Sequence, residues 1–80
     1  MIKIKTAKEI ETLIHNISRG KNPTELQLNY MRAKYYYYGV IDSFDNEADR
    51  LEFFRKYSNA IDKAYIKSIE KIVEKWNKEI

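Results

Sequence analysis

Residues 26–41 hold apolar side chains on two opposite sides of the chain at once, and this restricts the fold more than any other feature. Wound at about 100° per residue, Leu28, Met31, Tyr35 and Tyr38 fall on one side. Leu26, Tyr30, Ala33, Tyr37, Val40 and Ile41 fall on the other. An ordinary surface helix carries one apolar stripe, so a helix with two asks for cover on both sides. The tyrosines at 35, 36, 37 and 38 point about 100° apart and cannot all enter one core. A strand over 35–41 is the competing reading, because tyrosine and β-branched residues favour strands. The helical spacing begins well upstream and has a strong start signal, which favours the helix.

That start signal is Asn22 followed by Pro23, with Glu25 completing a capping box. The second helix is therefore expected over 23–42. Gly39 lies near its end, placed either to terminate it or to let another backbone come close. Before it, Thr6 and Glu9 form another capping box, and Ile10, Leu13, Ile14 and Ile17 make a single stripe. Gly20 is the expected stop. This gives a first helix over 6–19, preceded by a loosely docked start at residues 1–5. After an acidic turn, Asp45 or Asn46 can cap a third helix over 46–79. Its apolar stripe runs Leu51, Phe54, Ile61, Tyr65, Ile69, Ile72, Val73 and Trp76, with no glycine or proline to interrupt it.

The expected fold is all-α: a single domain over residues 1–80, with three helices, a central aromatic helix and a long C-terminal one. The expected core is Ile10, Leu13, Ile14, Ile17, Leu28, Met31, Tyr35, Phe54, Ile61 and Tyr65. A break at Ser58-Asn59 would instead give a four-helix bundle.

Several chemistries lack their residues. There is no cysteine and only one histidine, which excludes disulfides, thiolate chemistry and a histidine-rich metal site within one chain. His15 falls on the polar face of the first helix and reads as solvated. Asp45, Glu47 and Asp49 have the opening spacing of a calcium loop. The glycine and glutamate such a loop needs later are replaced by Arg50 and Lys56. Capping and solvation account for these carboxylates, so no metal and no cofactor is expected. No catalytic residues are assigned, and the chain reads as a non-enzyme. No stretch approaches the roughly 20 apolar residues of a membrane span, and residues 1–5 have no apolar run of the signal-peptide kind. A cytoplasmic setting follows as the expectation.

Charge is unevenly spread. Residues 1–41 carry seven Lys/Arg against three Glu, and 42–80 carry eight against nine acidic residues. The first two helices, their short turn and Lys3, Lys5, Lys8, Arg19, Lys21, Arg32 and Lys34 have the layout of a helix-turn-helix. A second helix with two apolar stripes leaves only narrow polar flanks for reading bases, and the acidic 42–52 segment repels phosphate. Nucleic-acid binding is therefore the alternative. The favoured expectation is a small non-catalytic protein-interaction module, an inhibitor or modulator of a nucleic-acid-handling or defence complex. The richness in Lys, Ile, Asn, Tyr and Glu, residues with AT-rich codons, suits a phage or mobile element of a low-GC host. The expected partner surface comprises Tyr30, Arg32, Lys34, Tyr36, Tyr37, Val40, Ile69, Val73 and Trp76. A third helix of about 50 Å outruns the other two. A homodimer is thus expected, or a complex with another protein, with Trp76 and the central tyrosines at the contact.

Overall fold

The computed structural model describes residues 2–79. It consists of three helices, α1 (Ile4–Ile17), α2 (Pro23–Ser43) and α3 (Glu47–Glu79). They make up 87% of the described chain, with no strand among the described residues. The expected continuous third helix is present, and the alternative break at Ser58-Asn59 does not occur: both lie within the unbroken α3. Ser58 is half-buried there, and a helix held by packing on one side tolerates a polar residue that would break an isolated one.

Local chemistry explains most of the boundaries. Asn22 accepts a hydrogen bond from the Glu25 backbone N–H through Oδ1 at 2.9 Å, and Pro23 occupies the first helical position. Glu25 reaches back with Oε1 to accept from the Lys21 N–H at 2.8 Å. Two of the otherwise unpaired donors at this helix start are thereby satisfied. Asn46, not Asp45, caps α3, accepting from the Ala48 N–H at 2.7 Å. Arg50 then folds back and donates to the Phe44 carbonyl at 2.7 Å, bracing the turn between α2 and α3.

Two boundaries differ from the sequence expectation. α1 begins at Ile4 and ends at Ile17, and its cap position, Lys3, makes no side-chain capping bond. Thr6 lies one turn inside the helix. Ile2 packs against the core, and that apolar contact draws the helix start two residues earlier than the capping pattern indicates. Gly20 does not act as a left-handed stop, since no glycine has positive φ. Its role is steric. A Cβ there would lie 2.8 Å from Leu26 Cδ2 and 2.9 Å from the Leu26 backbone nitrogen, so only glycine lets the chain turn this tightly against the start of α2.

The three helices run up, down and up. Tyr30 of α2 stacks on Tyr65 of α3, while Tyr37, seven residues later, stacks on Phe53, so α2 and α3 are antiparallel. Asn29 donates to the Asn16 carbonyl at 2.9 Å, and Tyr36 lies against Glu9 and Thr6. These contacts make α1 antiparallel to α2 as well. The core is one cluster formed by Ile10 and Ile17, Ala33 and Tyr37, and Phe53, Tyr57 and Ile61.

The core composition corrects the expected one. Ile10, Ile17 and Ile61 are buried as anticipated, and Leu13, Ile14 and Tyr65 pack partly against them. Leu28, Met31, Tyr35 and Phe54 are exposed. Of the two α2 stripes, the Leu26–Ala33–Tyr37 side faces inward. Ala33 in the middle of that stripe lets the other two helices come close. Tyr30 beside it finds a polar partner for its hydroxyl in the seam. On α3 the stripe is rotated so that Phe53 and Tyr57, rather than Phe54, point inward.

Candidate protein-interaction surface

Helix α2 presents its second stripe to solvent. Tyr37 is only 4% exposed, whereas Tyr35 is 68% and Tyr38 52% exposed. Leu28 and Met31 continue the same outward line toward the start of the helix. Their spacing alternates three and four residues, the pattern of a helix-packing seam. Gly39 lies on this outer side and is exposed, and a Cβ built on it meets nothing within 4 Å.

One edge of the outward stripe is bounded by a polar seam against α3. The Tyr30 and Tyr65 rings stack with centroids 4.4 Å apart. The Tyr30 hydroxyl donates to Asp62 Oδ1 at 2.8 Å, and Lys34 Nζ lies 3.2 Å from the same oxygen. The Lys34 ammonium also stands 5.6 Å from the Tyr30 ring centroid and 5.7 Å from that of Tyr38. Burial and the Asp62 carboxylate raise the Tyr30 pKa above its ordinary value. For Lys34, burial pulls the other way, but the Asp62 carboxylate and the neighbouring Tyr30 and Tyr38 leave its pKa raised. Lys34 is thus engaged within the fold.

On the other side of α2, Tyr36 closes an open groove of about 740 Å³ against α1, with Ile4 and Leu13 as apolar walls and Lys5 and Lys8 at its rim. Burial and the Glu9 carboxylate raise the Tyr36 pKa. The Tyr57 hydroxyl donates to Glu11 Oε2 at 2.8 Å, and burial together with that carboxylate pushes its pKa up to about 12. Tyr37 is a different case. Its hydroxyl is enclosed and meets no partner at hydrogen-bonding geometry. Burial raises its pKa, and the nearby Ser58 hydroxyl only partly offsets this.

The far end of α3 forms a second outward region. Tyr65 sits opposite Tyr30, which is seven residues from the start of α2; α3 continues fourteen residues beyond Tyr65. At about 1.5 Å per residue, α3 overhangs its neighbour by about 10 Å. The whole described chain is 52 Å long and 17 Å across. Ile69 is half-buried at the root of the overhang, and Val73 and Trp76 are exposed along it.

The structure divides the residues expected at a partner surface. Val73, Trp76 and Arg32 are exposed. Tyr30 and Lys34 are in the α2–α3 seam, Tyr36 is in the α1–α2 groove, and Val40 packs partly against the core. Tyr37 is core, so the expectation that it faces a partner is corrected: its ring is stacked on Phe53 with centroids 5.4 Å apart. Tyr35, Tyr38, Leu28 and Met31 take the outward place instead. The two-stripe pattern singles them out, but it does not say which stripe the other helices cover.

The acidic residues near the α2–α3 turn do not assemble a cation site: among the described residues, no three His, Cys, Asp or Glu side chains gather closely enough to hold a metal ion. No helix among them is long and apolar enough to cross a membrane. Comparison with known proteins gives no match, since no family model fits this chain and neither the curated proteins nor the solved structures yield a relative.

Proposed function

We propose that this chain is a non-catalytic protein-interaction module. It would act by docking on another protein through the outer stripe of α2 and the overhang of α3. The observation that supports this most is that the core closes without Leu28, Met31, Tyr35 and Tyr38, leaving two large tyrosines and two aliphatic side chains in water. Apolar side chains gathered on one surface of a small protein mark interaction sites. Tyrosine suits such a site, because its ring buries well while its hydroxyl remains solvated. Trp76, half exposed at the end of α3, adds an anchor of the kind that dominates binding energy. In this reading the chain modulates or inhibits the assembly it joins, in a cytoplasmic setting.

The test uses the immobilised chain and lysate of its source, with and without nuclease and at low and high salt. The comparison is a chain with Tyr35, Tyr38 and Trp76 replaced by serine. Proteins retained by the parent chain, resistant to nuclease and salt, and lost with the triple variant support the proposal. If all captured material disappears with nuclease and its retention falls steeply with salt, the chain is a nucleic-acid binder driven by phosphate contacts.

A further inference from the structure

Gly39 is unexplained within a single copy of this chain. It lies in an unbroken helix that runs on to Ser43, its φ is not positive, and no neighbouring atom would touch a Cβ placed there. A glycine inside a helix weakens it, and here neither a turn nor an internal close approach requires one. What remains is a close approach from outside the molecule. The exposed stripe of Tyr35 and Tyr38 flanks that position.

The charges on the same face suggest what approaches. Arg32 and Asp42 are both exposed. Arg32 makes a 3.5 Å contact with the Asn29 side chain, while Lys34, two residues on, is taken up by Asp62 on α3. Arg32 lies five residues before Tyr37 and Asp42 five residues after it. Tyr35 lies two before and Gly39 two after. Both pairs therefore share one midpoint along α2. A second α2 laid antiparallel across this face, with its twofold axis at that midpoint, sets each Arg32 opposite the second copy's Asp42. It also sets each Tyr35 ring against the second copy's bare Gly39, which has room for the ring only because it lacks a side chain. Opposite charges and opposite sizes are thus paired by one symmetry operation, as an isologous contact requires.

We infer that the outer face of α2 is a self-association surface, taking a second copy of this chain in an antiparallel register centred on residue 37. The inference rests on the reading of the chain as an interaction module and narrows it: the α2 stripe goes to a second copy of the chain, and the α3 overhang alone is left for a different protein. Leu28, Met31, Tyr35 and Tyr38 together leave roughly 400 Å² exposed, counting about 200 Å² for a whole tyrosine. A standard stable interface covers about 800 Å² per partner. The contact is therefore reversible and concentration-dependent, and it leaves the Trp76 overhang outside for a different protein.

A charge exchange tests the register. Arg32 and Asp42 are ten residues, or about 15 Å, apart on one helix, so they cannot pair within a single copy. Sedimentation equilibrium from about 5 to about 500 μM spans the relevant affinity range. The parent chain should rise above its 9.6 kDa monomer mass. Arg32→Asp and Asp42→Arg should each weaken association about tenfold by opposing like charges. The double variant Arg32→Asp/Asp42→Arg should return it to near the parent value. Gly39→Leu should abolish association while raising the melting temperature, which separates a blocked contact from a damaged fold. A parent chain that stays monomeric across the range overturns the inference. So does a double variant no better than the singles, or a Gly39→Leu variant that still associates. In each of those cases the parent chain can still capture another protein in a Trp76-dependent way, so loss of the dimer and loss of the interaction reading remain distinguishable.

Discussion

At the scale of single residues, tyrosine hydroxyls decide much of the packing. Tyr57 packs into the core and Tyr30 into the α2–α3 seam, where Glu11 and Asp62 accept hydrogen bonds from their hydroxyls at 2.8 Å. Tyr37 enters without such a partner. An enclosed, unpaired hydroxyl costs about 1–3 kcal/mol. Tyr37→Phe should therefore stabilise the fold by about 1 kcal/mol, raising the melting temperature by about 4–8 °C for a domain of this size. A lowered melting temperature in a calorimetric scan would show that the hydroxyl is satisfied. The same residues set the response to alkali. Tyr30, Tyr36, Tyr37 and Tyr57 all have folded-state pKa values raised above the ordinary tyrosine value, that of Tyr57 to about 12. A group shifted upward contributes stability that is complete below its unfolded pKa of about 10 and is lost as pH rises through the folded value. Lys34, raised as well, has the same sign. Thermal melts followed by circular dichroism should be flat from about pH 7 to about pH 9 and fall steeply between about pH 10 and pH 12. Asn22, with Pro23 and Glu25 beside it, was legible in the sequence because a cap is a local device. The acceptors of Tyr30 and Tyr57 were not, since each is more than thirty positions away along the chain.

At the scale of elements, the two glycines have opposite roles. Gly20 is held against the Leu26 backbone, so the methyl group of Gly20→Ala must push main chain aside, at a cost of about 1–3 kcal/mol. Gly39 faces open space in a helix, so Gly39→Ala should stabilise the monomer by about 1 kcal/mol through helix propensity alone. Urea titrations of the two variants at low protein concentration should shift their midpoints in opposite directions. Equal shifts would mean that the two sites are not distinguished by their surroundings. Sequence periodicity revealed both α2 stripes and the uninterrupted course of α3. It did not fix which α2 stripe turns inward: the inward one is the richer, six apolar residues against four, but periodicity alone does not say which side the other helices cover. The choice depends on how Ala33, Tyr30 and Tyr37 meet α1 and α3. The start of α1 was misjudged for a related reason: a good capping residue at Thr6 lost to the packing of Ile2.

At the scale of the whole molecule, α3 is the wall against which both other helices pack, and its end projects beyond them. The sequence made that surplus length visible, since 33 breaker-free residues cannot be covered by a helix of 14 and one of 21. Each helix is joined to the next by a turn of a few residues, and each packs on its sequence neighbour. Chains of this kind have low contact order: little loop entropy must be lost before native contacts begin to form, and folding times lie in the microsecond-to-millisecond range. Refolding from urea should therefore be dominated by one fast exponential, most of its amplitude lying within the dead time of a stopped-flow mixer. The up-down-up order gives this chain a further property. Its shape is re-established after each transient opening faster than a diffusing protein at micromolar concentration reaches it, so a partner meets α2 and the end of α3 already formed.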